Sequence, residues 1–142
     1  MNIAIAADHG GYDLKEALKK HYNNLNLQDL GTYNAESIDY PDIARKMAHA
    51  IQNKTADLGI LICGTGVGIS IAANRYKGIR AALIYSKEVA RLAKEHNNAN
   101  ILVFGGRTMT VDDVIKYIDT FMLASYEGGR HQRRLDKIDI ME

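Results

Sequence analysis

The feature that most constrains this chain is a strict alternation of short apolar runs with stretches of helical periodicity, from one end to the other. Ile3-Ala4-Ile5-Ala6-Ala7 is apolar on both faces, as a strand buried inside a parallel sheet must be. Leu58 to Cys63 and Ile101-Leu102-Val103-Phe104 read the same way, as strands three and five. Leu25 to Leu30 alternates and predicts a second strand nearer an edge, and Ile79 to Ile84 predicts a fourth. Between them, Leu14, Ala17 and Leu18 form one helix face. Ile43, Met47 and Ile51, with Ala44 and Ala48, form another behind Pro41, which suits a first helical turn. A short helix is expected from the glycines after Cys63 to about Asn74. Ser86 is placed to cap a helix carrying Val89, Leu92, Ala93 and His96, and Thr110 with Asp113 resembles a capping box. That box opens a helix with Val114, Ile118, Phe121 and Met122 inward. Strands separated by helices imply right-handed crossovers. The expected fold is therefore α/β, a Rossmann-like three-layer sandwich with a five-stranded parallel sheet and helices on both faces. At ~150 residues per domain, 142 residues make one domain, 1–142, with a helical tail from about 126.

Composition removes several classes of function. Lys and Arg number 18 against 17 Asp and Glu, too even a balance for a general nucleic-acid binder. No apolar run approaches the ~20 residues that cross a bilayer, and Met1 to Asp8 lacks a basic leader. The one cysteine excludes an internal disulfide and suits a reducing compartment, so a cytoplasmic location is expected. The five histidines are scattered without metal-ligand spacing, and neither a metal nor a cofactor is expected.

In parallel sheets ligands bind beyond the carboxyl ends of the strands, where strand order reverses. The residues there are Asp8-His9-Gly10-Gly11, Cys63-Gly64-Thr65-Gly66-Val67-Gly68 and Gly105-Gly106-Arg107, with Tyr40 and the pair His96-Asn97 expected on the same rim. Glycines at alternate positions let N–H groups line a concavity that suits a phosphate or an oxyanion. Ile69 breaks the G-x-G-x-x-G pattern, and no lysine completes a nucleotide-binding loop, so a small anion is favoured. A plain strand-to-helix turn explains the glycines about as well. Cys63 is by default a small buried hydrophobe, but a thiol at a helix start is also a candidate base. Phosphatase and redox motifs are both absent around it, which leaves proton abstraction. Asp8-His9 otherwise reads as a solvated turn, His96-Asn97 as a helix end, and Arg130, Arg133 and Arg134 as an exposed basic turn. Arginine forks nonetheless bind phosphate well.

Taken together these segments resemble the type B ribose-5-phosphate isomerases, of the family that also contains galactose-6-phosphate isomerase subunits. The resemblance is carried by Ala7 to Gly11, Asp39-Tyr40-Pro41, Ile60 to Asn74, His96-Asn97, Phe104 to Arg107 and Tyr126 to Gln132. Cys63 favours the ribose branch. The resemblance implies metal-free interconversion of ribose 5-phosphate and ribulose 5-phosphate through an enediolate. It implies Cys63 as the base, and Thr65 with the amides of Gly64, Gly66 and Gly68 as enediolate donors. His96 would open the furanose ring. Asp8, Tyr40 and Asn97 would hold hydroxyls, and His9, Arg107, Arg130 and Arg134 the phosphate. It also implies a homodimer, or a tetramer, with His96, Asn97 and Arg107 supplied by the neighbouring subunit. An isomerase of a 6-phosphohexose such as allose 6-phosphate, or a catalytically silent sugar-phosphate sensor, stays open on the same residues.

Overall fold

The computed structural model describes residues 1–139. Eleven elements alternate in the expected order: β1 Ile3–Ala7, α1 Tyr12–His21, β2 Gln28–Asp29, α2 Tyr40–Gln52, β3 Leu58–Cys63 and α3 Val67–Ala73, then β4 Ala81–Leu83, α4 Lys87–Glu95, β5 Ile101–Gly105, α5 Val111–Leu123 and α6 Arg130–Leu135. The five strands form one parallel sheet in the order β2-β1-β3-β5-β4. β1 pairs with β3 from Ile3↔Leu58 to Ala7↔Ile62, and β3 with β5 from Gly59↔Ile101 to Cys63↔Gly105. The three central strands are buried along their whole length, which their unbroken apolar runs require.

Side chains alternate across this sheet, and each face has its own core. Ile3, Ile5, Ile60, Ile62, Leu102 and Phe104 pack against α1, α4 and α5. Ala4, Ala6, Leu61, Cys63, Ile101 and Val103 pack against α2 and α3. Cys63 thus continues the face covered by the helix that follows it. Ser86 Oγ accepts from the Val89 amide (3.1 Å) and Thr110 Oγ1 from the Asp113 amide (3.2 Å), so both expected caps form. The return arm from the Asp113 side chain does not form among the described residues.

Three expectations need correction. β2 is two residues long instead of six, because only β1 pairs with it and Leu25 and Asn26 run out into solvent, Asn26 with φ 52°. β4 likewise shrinks to Ala81–Leu83 at the other edge, although Ile79 and Ile84 remain buried. Met122 points outward at 40% exposure, since Val114, Ile118 and Phe121 already fill the inner face of α5. The last three residues of the expected 1–142 domain lie outside those described.

Candidate active site

Strand order reverses between β1, which leads outward to β2, and β3, which leads inward to β5. The turns leaving these three strands meet backbone to backbone at the carboxyl end of the sheet. A Cβ at Gly10 would stand 2.9 Å from the Gly64 amide, and one at Gly106 would overlap the Gly10 carbonyl. The Gly106 amide donates to the Cys63 carbonyl (2.8 Å) and the Arg107 amide to the Gly64 carbonyl (2.9 Å). Gly66 holds φ 83° with Leu83 Cδ1 2.6 Å from where a Cβ would be, so the loop admits only glycine there. These contacts fix the Cys63–Gly68 loop beside the Asp8–Gly11 turn.

Cys63 is buried, and its Sγ accepts from the Gly66 amide (3.2 Å). A sulfur carrying charge during proton transfer therefore has a partner in place. That amide is consequently turned to the sulfur instead of to a substrate oxygen, unlike the role the resemblance implied for Gly66. Thr65 is exposed on the outer side of the loop, and its Oγ1 accepts from Val67 (3.2 Å). Asp8 is buried with Oδ1 accepting from Gly10 (2.8 Å). His9 Nδ1 accepts from the Ile38 amide (3.1 Å), which assigns the ring proton to Nε2 and makes that nitrogen a donor. Tyr40 lies over Gly68, its hydroxyl oxygen 2.9 Å from a Cβ position there. Asp8, His9, Ile38, Asp39, Tyr40 and Asp42 line a concavity of about 400 Å³. Three carboxylates in its wall suit hydroxyl groups better than an anion. Arg107 brings positive charge to this rim, its Nη1 beside Gly64.

His96 and Asn97 are not on this rim. Helices here run antiparallel to the strands they connect, so the end of α4 returns to the amino end of the sheet. Five to six residues per central strand put roughly 17–20 Å between the two ends. His96 closes α4, and Arg80 clamps the next turn, its Nε donating to the Asn97 carbonyl (3.1 Å) and its Nη2 to the Asn98 carbonyl (3.0 Å). The tail reaches the same place, since the Glu127 amide donates to the Glu95 carbonyl (3.0 Å). His96, Asn97, Arg130, His131 and Arg134 line a second concavity of about 390 Å³, whose lining does not include Arg133.

The candidate side chains and the glycine-rich loop thus form two clusters at opposite ends of one sheet. Asp8, His9, Tyr40, the Cys63–Gly68 loop and Arg107 make one; His96, Asn97, Arg130 and Arg134 make the other. The expectation of a single rim fails for His96-Asn97 because it ignored the direction of α4. Within this chain Arg107 stands with Cys63, whereas Arg130 and Arg134 stand with His96. Nor are the histidines all scattered, since His96, Glu127 and His131 place three ligand-type atoms within 4.8 Å of one another. Arg80, Glu127 and His131 went unassigned from sequence. The glycine pair before Arg130 was the available sign that the tail folds back, and it names no destination.

The ribose/galactose isomerase family model matches residues 3–138. Ribose-5-phosphate isomerase B of Escherichia coli is 42% identical over 99% of this chain and 95% of its own length. The structure of a Thermotoga maritima ribose 5-phosphate isomerase superimposes with a TM-score of 0.93 at 51% identity, covering 97% of each chain. The Mycoplasma genitalium ribose-5-phosphate isomerase B, solved with bound ribulose 5-phosphate, gives a TM-score of 0.90 at 48% identity over 96% of this chain and 93% of that one.

Proposed function

This chain belongs to the ribose/galactose isomerase family, and from that premise we propose that it interconverts ribose 5-phosphate and ribulose 5-phosphate with Cys63 as the base. The observation that carries the reading is the setting of Cys63. Its sulfur ends the central strand at the reversal of strand order and takes the Gly66 amide, and the loop it opens packs on the Asp8–Gly11 turn, whose Asp8 and His9 line a cleft suited to hydroxyls. Moving a proton between C2 and C1 needs a base and donors for the enediolate oxygens, and no metal is called for. Cys63 takes the proton from C2 of the open-chain aldose and electrons shift to O1; the O2 proton passes to O1, and return of the Cys63 proton to C1 as the C2 carbonyl forms gives the ketose. The Gly64 and Thr65 amides, which have no backbone partner among the described residues, stand for the enediolate oxygens. Asp8 and Tyr40 hold hydroxyls, and His9 Nε2 with Arg107 faces the phosphate.

Ribose 5-phosphate is a furanose, so its ring must open first. His96 serves that step, and Asn97, Arg130 and Arg134 complete the sugar and phosphate contacts. Since their cluster lies at the far end of the sheet, they come from a second copy of the chain, with two copies the minimum assembly. A closed two-fold pair gives two equivalent sites. A working thiol base also favours a reducing, cytoplasmic setting.

Ribose 5-phosphate turnover, followed with deuterium washout from C2, tests the reading. Wild-type enzyme is expected to turn over and exchange, and Cys63→Ala to lose both by about 10²–10⁴-fold with binding retained. Exchange at the wild-type rate in Cys63→Ala contradicts the base. Turnover of a 6-phosphohexose alone points to the related branch, and binding without turnover to a sensor.

A further inference from the structure

Glu127 and His131 stand against His96 and so far have no role of their own. Glu127 Oε1 lies 3.3 Å from His131 Nε2 and 3.6 Å from His96 Nε2. His131 is 5% exposed and its Nε2 makes no well-aligned hydrogen bond among the described residues. The two imidazoles stack, with centroids 4.2 Å apart and planes 16° from parallel. Stacked rings direct their Nε2 atoms side by side instead of toward one point, so as N–H donors they suit a shared carboxylate better than their lone pairs would suit a shared metal ion. Glu127 is held in place independently, by its amide on the Glu95 carbonyl and by the turn that follows at Gly128 (φ 68°) and Gly129 (φ 58°). The chain therefore presents one carboxylate to the face of α4 that ends in His96.

We propose that Glu127 is a positioning residue for ring opening, an inference that rests on the reading of His96 given above. At 3.6 Å the carboxylate stands just beyond hydrogen-bond distance of His96 Nε2, and its charge favours the proton on that nitrogen, which leaves the lone pair on Nδ1 for the substrate. Nδ1 then takes the proton of the anomeric hydroxyl. As O1 becomes the carbonyl oxygen, the bond from C1 to the ring oxygen breaks, and the ring oxygen receives that same proton from Nδ1. One proton is shuttled, no outside donor is needed, and the imidazolium formed midway is paired with Glu127. His131 backs the ring of His96 and keeps its plane.

Ribulose 5-phosphate separates this role from a structural one. With its 5-hydroxyl esterified it has no furanose form, so proton exchange at C1 with solvent needs Cys63 but no ring opening. Glu127→Ala and Glu127→Gln are compared with wild type in both reactions. The expected result is a loss of roughly ten- to a hundredfold in kcat for ribose 5-phosphate in Glu127→Ala, less than removal of an acid–base group itself causes. C1 exchange from ribulose 5-phosphate stays within about twofold of wild type, and Glu127→Gln, which keeps an acceptor oxygen facing Nε2 without the charge, recovers part of the loss. Equal loss in both reactions would mean that Glu127 only holds the tail in place, and unchanged isomerisation would mean that it does nothing; either overturns the proposal. A wild-type protein inactive in both reactions overturns the reading of the site itself.

Discussion

Lys15 is a charged side chain with no exposed surface, and it is tolerated there because Asp29 meets its ammonium at 2.6 Å. Lys19 adds a second contact to the same oxygen at 2.7 Å. Burial pushes the Asp29 carboxyl up, but the hydrogen bonds from Lys15, Lys19 and the Gly31 amide outweigh it and hold the group below the usual aspartate range. The same partnership raises Lys19. This arrangement supports the site. Asp29 Oδ1 accepts from Gly31 (2.9 Å), whose carbonyl takes the Ala7 amide (2.8 Å) immediately before Asp8. A carboxylate with a lowered folded-state pKa contributes stability that is complete above its unfolded value and lost as pH falls through the folded one. Asp29→Asn is therefore expected to cost about 3 kcal/mol at neutral pH, since it leaves the buried Lys15 with only Glu16, at 3.5 Å, as a counter-charge. It should also flatten the acid side of the stability curve. Urea unfolding between neutral and acid pH checks both, and an acid limb unchanged in the variant contradicts the assignment.

At the scale of elements, α6 matters because it carries Arg130 and Arg134 into the concavity beside His96 while Arg133 is not part of its lining. Arg130→Ala and Arg134→Ala are each expected to raise KM for ribose 5-phosphate by about ten- to a hundredfold, the value of a charge-assisted contact of ~1.5–3 kcal/mol. Arg133→Ala should change KM less than twofold. Steady-state kinetics decides, and equal effects at all three positions would indicate a diffuse basic surface. Most elements were legible from sequence because burial on both faces writes an apolar run, as at Ile3–Ala7 and Leu58–Cys63. Edge strands write a weaker pattern, which is why β2 and β4 came out too long. Ser86 and Thr110 were legible because capping is local. The contact from Glu127 to Glu95 spans 32 residues of sequence and follows from packing alone, so no local pattern announces it.

At the scale of the molecule, one sheet carries two groups of side chains at opposite ends, and on the proposed mechanism ring opening draws on one group and proton transfer on the other. The residue types were readable in sequence; their division was not, because it depends on the direction in which α4 and α5 return to the amino end. The central claim is that a site is complete only when the Cys63 end of one chain meets the His96 end of another. Mixing inactive Cys63→Ala with inactive His96→Asn under subunit exchange tests it most directly. Random exchange makes about half of the pairs mixed, and each mixed pair has one intact site and one doubly damaged site. Activity is then predicted to return to roughly a quarter of wild type. If native mass spectrometry shows mixed pairs and activity stays near zero, both residues serve the same site from one chain, and the account is wrong.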